Sequence, residues 1–369
     1  MLIRIAMAGT LLATVPAVPA AAAEPAPGRL VSRAPLARKL WLPGTGRAYQ
    51  VKYWTKDVRG RAAVSTGAVF LPKGRAPRGG WPVVSWAHGT VGVGDSCAPT
   101  RAGRSARDIK YLRRWIAQGY AIVATDYQGL GTKGVHPYGD GRTEARNVID
   151  MVRAGRRTTA ALSRKWVVIG QSQGGHAALF TASTAARYAP ELDYRGAVAT
   201  GAPSNIELIA PYAGPIVPDL GLDGLVTYFA YFLAGLRASH PSLRVDRYLT
   251  PAGVKAVDAA ERLCYDAMHE RVSGLSIGAM LARDLNVPAF SAAIRSAIEV
   301  PLDGYGAPFY VAHGVLDTDV PLPLTYKLVA DLRARHRPVT FKAYPGADHS
   351  ANMFASLPDT LPFVRRLLR

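Results

Sequence analysis

The sequence predicts an α/β protein, a mostly parallel central sheet with helices on both faces and an inserted helical cap, and three observations carry that expectation. Apolar strand-like runs alternate with helix-like runs through most of the chain beyond residue 46. The alternation stops between residues 204 and 301, where helical patterning takes over. Between one strand-like run, 166–169, and one helix-like run, 175–187, lies Gly170-Gln171-Ser172-Gln173-Gly174.

Taken in order, residues 1–23 carry Arg4, an apolar run and an alanine cluster, the pattern of a secretory signal peptide cleaved after Ala23. Pro16 and Pro19 interrupt a run already short for spanning a bilayer, so the expectation is a secreted, extracellular chain. Residues 24–45, rich in Pro, Ala and Arg, read as an extended N-terminal arm. The first part of the core is expected over 46–203, the cap over 204–301 and the second part of the core over 302–369. Segments 49–55 and 62–71 read as a hairpin turning near 57–60. Strands follow at 83–86, 121–125, 167–170, 197–200, 309–312 and 340–344, with helices at 105–118, 142–161, 173–187, 324–335 and 357–368. Such alternation of strands and helices implies a mostly parallel sheet covered on both faces.

The cap contains a helical stretch over 220–236, with Leu222, Leu225, Val226, Phe229, Phe232, Leu233 and Leu236 at helical spacing. It is too short for a membrane span and contains Asp223. Its place between the Ser172 segment and the next carboxylate suits a lid with apolar walls. Phe229, Phe232 and Leu233 are the candidate substrate contacts, joined by Phe290 and Ile294 later in the insertion.

A serine between a strand and a helix, flanked by glycines, sits on a sharp elbow with its hydroxyl exposed, the geometry of a nucleophile. Gly170 and Gly174 then mark places where the turn leaves no room for side chains. An acid is expected after a later strand, and the run 309–312 leads through His313-Gly314-Val315-Leu316 to Asp317, with Asp319 two residues on. A histidine is expected last, and His349 follows the strand 340–344. The order Ser, Asp, His is that of α/β-hydrolases. An oxyanion hole would take one N–H from Gln173 and another from Thr90 or Val91, beyond the strand that ends in His88-Gly89. His88 reads as a brace for that loop, Asp348 as a solvated loop carboxylate, and His176 and His313 as packing or hydrogen-bonding residues. Asp126 and the glycines 129–131 read as stabilising a core turn.

With these segments in view, the chain resembles the secretory lipases of the α/β-hydrolase superfamily, the yeast lipase A type. The resemblance rests on Ser96-Cys97-Ala98-Pro99, on 123–131, on the Ser172 elbow, on 313–321 and on 344–349. It implies Ser172 as nucleophile, Asp317 as acid and His349 as base, the family's spacing from Val320-Pro321 selecting Asp317 over Asp319. It implies hydrolysis of carboxylic esters, acylglycerols or other lipid esters, without a cofactor. An acyltransferase would share every one of these residues.

Lys and Arg number 45 against 26 Asp and Glu, a formal charge of +19. A basic field can hold an enzyme in transient contact with an anionic lipid surface, although a solvated arginine surface is the simpler reading. No nucleic-acid motif or metal-ligand spacing accompanies the charge, so neither nucleic acid nor metal is expected. Cys97 and Cys264 are the only cysteines; in an exported chain they are expected to pair and to tie cap to core.

Overall fold

The computed structural model describes residues 24–369 apart from 220 and 222, so the expected signal peptide and the start of the cap's helical stretch lie outside the described residues. One nine-stranded sheet organises the rest, in the order β1-β2-β3-β5-β4-β6-β7-β8-β9. The strands are β1 (Leu30–Pro35), β2 (Thr45–Lys56), β3 (Ala62–Pro72), β4 (Trp81–Ala87), β5 (Ala121–Thr125), β6 (Leu162–Gln171), β7 (Asp193–Thr200), β8 (Phe309–Gly314) and β9 (Val339–Tyr344). From β5 to β9 the neighbours run parallel. Strands β1 to β3 form an antiparallel edge that joins β5 antiparallel. The N-terminal segment 24–45 thus contributes β1, paired with β2 through Ser32–Pro35.

The helices of the core are α1 (Pro99–Ala102), α2 (Ala106–Ala117), α3 (Gly141–Thr158) and α4 (Gln173–Tyr188) before the cap. The cap holds α5 (Asp223–Ser239), α6 (Pro251–Ala260), α7 (Tyr265–Arg271), α8 (Ile277–Met280) and α9 (Pro288–Ile298). The core resumes with α10 (Leu322–Ala334), α11 (Asn352–Ala355) and α12 (Leu357–Leu368). Helix α2 starts where the Ser105 hydroxyl accepts from the Asp108 N–H at 3.1 Å, and α3 where Asp140 accepts from the Thr143 N–H at 2.8 Å. Helix α3 stops three residues short of the sequence reading, because Thr159 is already extended at φ −155°, ψ 137° and leads into β6.

Strand β6 shows why the sheet has two cores. Trp166 and Val168 face a cluster with Val148, Met151 and Val152 of α3 and Ala177 and Ala178 of α4. Val167 and Ile169 face the other, with Leu112 and Trp115 of α2 and Val364 of α12. Successive side chains point to opposite faces and both faces are covered, so no polar residue is tolerated in this run.

The cap packs on its own apolar cluster around Tyr231, Leu233, Met268 and Phe290. Cys97 and Cys264 form a disulfide that closes a sequence separation of 167 residues and joins the loop after β4 to the start of α7. Beside it the Tyr265 N–H donates to the Val91 carbonyl at 3.1 Å, and Gly92 makes an antiparallel bridge with Cys264. A Cβ on Gly92 would lie 2.7 Å from the Cys264 Cα, so the approach requires glycine there. Closing a loop of this length stabilises by roughly 5 kcal/mol in the chain-entropy model. Replacing both cysteines by serine is expected to lower the unfolding free energy by about 3–5 kcal/mol in a urea titration. A change under 1 kcal/mol would show that the backbone bonds at Val91 and Gly92 already hold the cap.

Candidate active site

Ser172 ends β6 and caps α4 with φ 57° and ψ −122°, a left-handed conformation that a residue with a side chain adopts only under constraint. The constraint is steric and sequence-encoded. A Cβ on Gly170 would run into the Gly174 carbonyl, and a Cβ on Gly174 into the carbonyl of Ala87 at the end of β4. Backbone bonds complete the elbow, Ser172 N–H to the Thr200 carbonyl at 2.9 Å and His176 N–H to the Ser172 carbonyl at 3.0 Å.

His349 follows β9, and its ring is fixed from one side only. Nδ1 donates to Asp317 Oδ2 at 2.7 Å, while Nε2 is buried without a hydrogen-bond partner among the described residues. The Gln171 side chain also donates to the His349 carbonyl at 3.4 Å. Asp317 is surrounded by donors. Oδ1 accepts the N–H groups of Asp319 and Val320 at 3.0 and 2.8 Å, and Oδ2 lies 3.2 Å from His313 Nε2. Burial opposes the Asp317 charge, but the imidazoles of His313 and His349 and the Val320 N–H outweigh it and hold the carboxyl well below the usual carboxylate range. Asp319 therefore stands beside the acid as a backbone donor, and its side chain lines the cleft over Ser172. Asp348 is exposed and accepts the N–H groups of Ser350 and Ala351.

Across from the serine, Gln173 opens α4, where first-turn N–H groups have no acceptor within the helix. Thr90 and Val91, beyond β4, line the same cleft as Ser172. The Thr90 hydroxyl is 2.6 Å from the Tyr138 hydroxyl. His88 braces this loop: Nδ1 lies 2.7 Å from the Gly89 carbonyl, Nε2 3.4 Å from the Asp126 carbonyl, and the ring packs on Tyr127. Burial pushes the His88 imidazole below its ordinary pKa, which suits a neutral support rather than a charged one. Asp126 holds the turn after β5, accepting from the hydroxyls of Thr66 and Thr100 and from the Thr100 N–H.

Two cavities meet at Ser172. An open cleft of about 580 Å³ is lined on its outer side by Ser105, Arg107, Tyr265, Asp266 and Asp319. An apolar pocket of about 130 Å³ is lined by Tyr138, Ile206, Leu225, Phe229, Phe232 and Ile298. Of the candidate cap contacts, Phe229 and Phe232 thus reach the pocket, whereas Leu233 does not. One residue after Phe232, it is rotated about 100° around α5 and buried in the cap's own cluster. Phe290 and Ile294 belong to that cluster too, with Phe290 packed edge-on against Tyr248. Among the described residues no group of three or more His, Cys, Asp and Glu is placed to hold a metal ion.

Two residues of the site escape sequence reasoning. Gly201, after β7, has φ +55°, and a Cβ there would lie 3.1 Å from Nδ1 and Cε1 of the His349 ring. Glu144 lies wholly buried behind Gln173. His313 is the buried hydrogen-bonding residue its sequence context suggests, and it shares the Asp317 carboxylate. The pattern Thr-Gly at a strand end is too common to mark Gly201 without the fold. Gly201→Ala is expected to push the ring and lower kcat by at least tenfold, with circular dichroism unchanged. A wild-type kcat would show that the ring can give way without loss.

A family model described as secretory lipase matches residues 105–368. Lipase A of Moesziomyces aphidis is 21% identical over 346 residues, covering 86% of this chain and 71% of that protein. Among solved structures, Candida antarctica lipase A in its closed state has a TM-score of 0.78 at 20% identity, over 93% of this chain and 82% of that one. A rice cell wall degrading esterase from Xanthomonas oryzae has a TM-score of 0.73 at 20% identity, over 93% of this chain and 99% of that one. The structural likenesses make the fold that of the α/β-hydrolases. With the family match spanning well over half the sequence, the chain belongs to the secretory lipase family.

Proposed function

We propose that the chain is an exported serine hydrolase that cleaves carboxylic esters of lipids through an acyl-enzyme. Carboxylic ester hydrolysis is the chemistry of its family. The finer reading is carried by one observation: His349, held through Nδ1 by an ionised Asp317, keeps a buried, unpartnered Nε2 in the cleft it shares with Ser172. In that reading Nε2 takes the Ser172 proton and the alkoxide attacks the ester carbonyl. The oxyanion is held by the Gln173 N–H and by that of Thr90 or Val91. His349 then gives its proton to the leaving alcohol, and the acyl-enzyme is hydrolysed by a water that His349 deprotonates. Asp317 keeps its charge throughout and steadies the imidazolium.

The acyl group would enter the apolar pocket and the alcohol would leave through the open cleft. The cleft also admits an acceptor alcohol in place of water, and transfer to added glycerol during turnover would mark that activity. Export is supported by the leader-like residues 1–23 and by the secretory character of the family. No helix among the described residues is long and apolar enough to cross a membrane.

Labelling by a fluorophosphonate tests the nucleophile. The wild type is expected to label and Ser172→Ala to remain unlabelled; an unlabelled wild type would end the serine-hydrolase reading. For the acid, Asp317→Asn is expected to lose most of kcat and Asp319→Asn to keep more than half of it. The reverse ranking would move the acid to Asp319. Across p-nitrophenyl esters, kcat/KM for butyrate is expected to exceed that for acetate about tenfold, because the longer chain reaches the apolar side chains of the pocket. Phe229→Asp should depress butyrate far more than acetate, because a buried charge opposes the longer chain. Equal losses on both would reduce α5 to a structural role.

A further inference from the structure

A carboxylate behind the elbow has no part in the chemistry above. Glu144 lies on the first turn of α3 with a side chain that has no solvent exposure. Its Oε1 accepts from the Gln173 side-chain amide at 2.8 Å and from the Gly139 N–H at 3.3 Å. Its Oε2 has no hydrogen-bond partner among the described residues and lies 3.8 Å from His176 Nδ1.

The proton count of this cluster is closed. Gln173 Nε2 is also 2.8 Å from His136 Nε2, and an amide nitrogen has two hydrogens and accepts none. One hydrogen goes to Glu144 and the other to His136. His136 Nε2 must then accept, so its proton sits on Nδ1 and is donated to the Gln128 carbonyl at 3.0 Å. The opposite amide orientation would set the Gln173 oxygen 2.8 Å from the carboxylate, a repulsive contact. Burial disfavours the Glu144 charge, and the donors that offset it are the Gln173 amide and the Gly139 N–H, both on Oε1. His176 Nε2 donates to the carbonyl of Ile298, the last residue of the cap helix α9, at 2.9 Å.

Burying a carboxylate is costly, and a glutamine would fill the same space. The charge grips Gln173, the residue that follows the strained Ser172 and to which the proposed mechanism gives an oxyanion N–H. Donors of an oxyanion hole act only if they are fixed before the charge develops. Relaxation of the elbow would swing that peptide, and the pinned side chain resists it.

We propose that Glu144 is a positioning residue for the oxyanion hole, holding the Gln173 side chain, and through it the Gln173 peptide, by the hydrogen bond to Oε1. This rests on the reading of Gln173 as an oxyanion donor. A competing effect has the opposite sign: an anion behind the hole repels the oxyanion, so if repulsion dominated, removing the charge would speed the reaction.

The experiment compares Glu144→Gln, Gln173→Leu, which keeps the peptide N–H, and the double variant. Turnover of p-nitrophenyl butyrate is read beside inhibition by butane boronic acid, which forms a tetrahedral anion on the serine. Each single variant is expected to lose about tenfold in kcat with KM within twofold, part of the loss seen when a donor is removed outright. Boronate affinity should weaken by a similar factor. The double variant should be no worse than the worse single, because both changes release the same hold. The proposal falls if kcat and boronate affinity stay within twofold of wild type while only the melting temperature drops. It falls equally if Glu144→Gln is faster than wild type, or if the losses multiply. Should Glu144→Gln fail to fold, Gln173→Leu decides by its kcat and boronate affinity alone. A wild type that fails to react with fluorophosphonate would overturn the hydrolase reading instead, so the two failures are distinct.

Discussion

The close approach of α4 to the end of β4 is the constraint on which the site depends. No side chain fits between Gly174 and the carbonyls of Ala87 and His88, or between Gly170 and the Gly174 carbonyl. That contact brings the first turn of α4 against the loop after β4, so two distant parts of the sequence meet beside Ser172. It also forces Ser172 into positive φ, at a cost of order 1–3 kcal/mol. The strain is sustained because β6 cannot shift: Trp166, Val167, Val168 and Ile169 are all without solvent exposure, locked alternately into the two cores.

Charge at the site is organised by the same logic of over-determination. Asp317 accepts two backbone N–H groups on one oxygen and faces two imidazoles with the other, so its position does not depend on His349 alone. His313 is in turn placed by Thr325 of α10, whose hydroxyl lies 2.9 Å from Nδ1. Asp317 is thereby fixed to β8 and α10 at once, whereas His349 is anchored through one nitrogen and keeps the other unpartnered among the described residues.

The sequence makes the strands and helices of the core legible, because runs such as 166–169 and 121–124 have only apolar residues and both ends are marked by turn chemistry. The elbow is legible for a different reason, since steric exclusion leaves a glycine signature. Asp317 is separable from Asp319 only through the family spacing; the physical cause, that the Asp319 N–H donates to the Asp317 carboxylate, exists only in the folded turn. Leu233 has the same hydrophobicity as its neighbours, and periodicity cannot say which face of α5 meets the pocket and which meets the cap's cluster. Gly201 and Glu144 act on residues far away in sequence, 148 positions in the case of Gly201 and His349, and single-sequence patterns carry no trace of such contacts. The N-terminal segment is extended as its composition suggests, but its pairing with β2 is set by an exposed sheet edge rather than by any motif in the segment itself.

The disulfide makes the insertion part of the cleft wall. Cys264 is bonded to Cys97, the adjacent Tyr265 N–H is bonded to Val91, and Gly92 pairs with Cys264, so the insertion is stitched to the loop that lines the cleft at Ser172. A second tie lies further along it, where His176 Nε2 of α4 donates to the Ile298 carbonyl at the end of α9. Fastened at both places, the segment between them cannot shift without loading the backbone at Val91 and the first turn of α4 together, and these two flank Ser172.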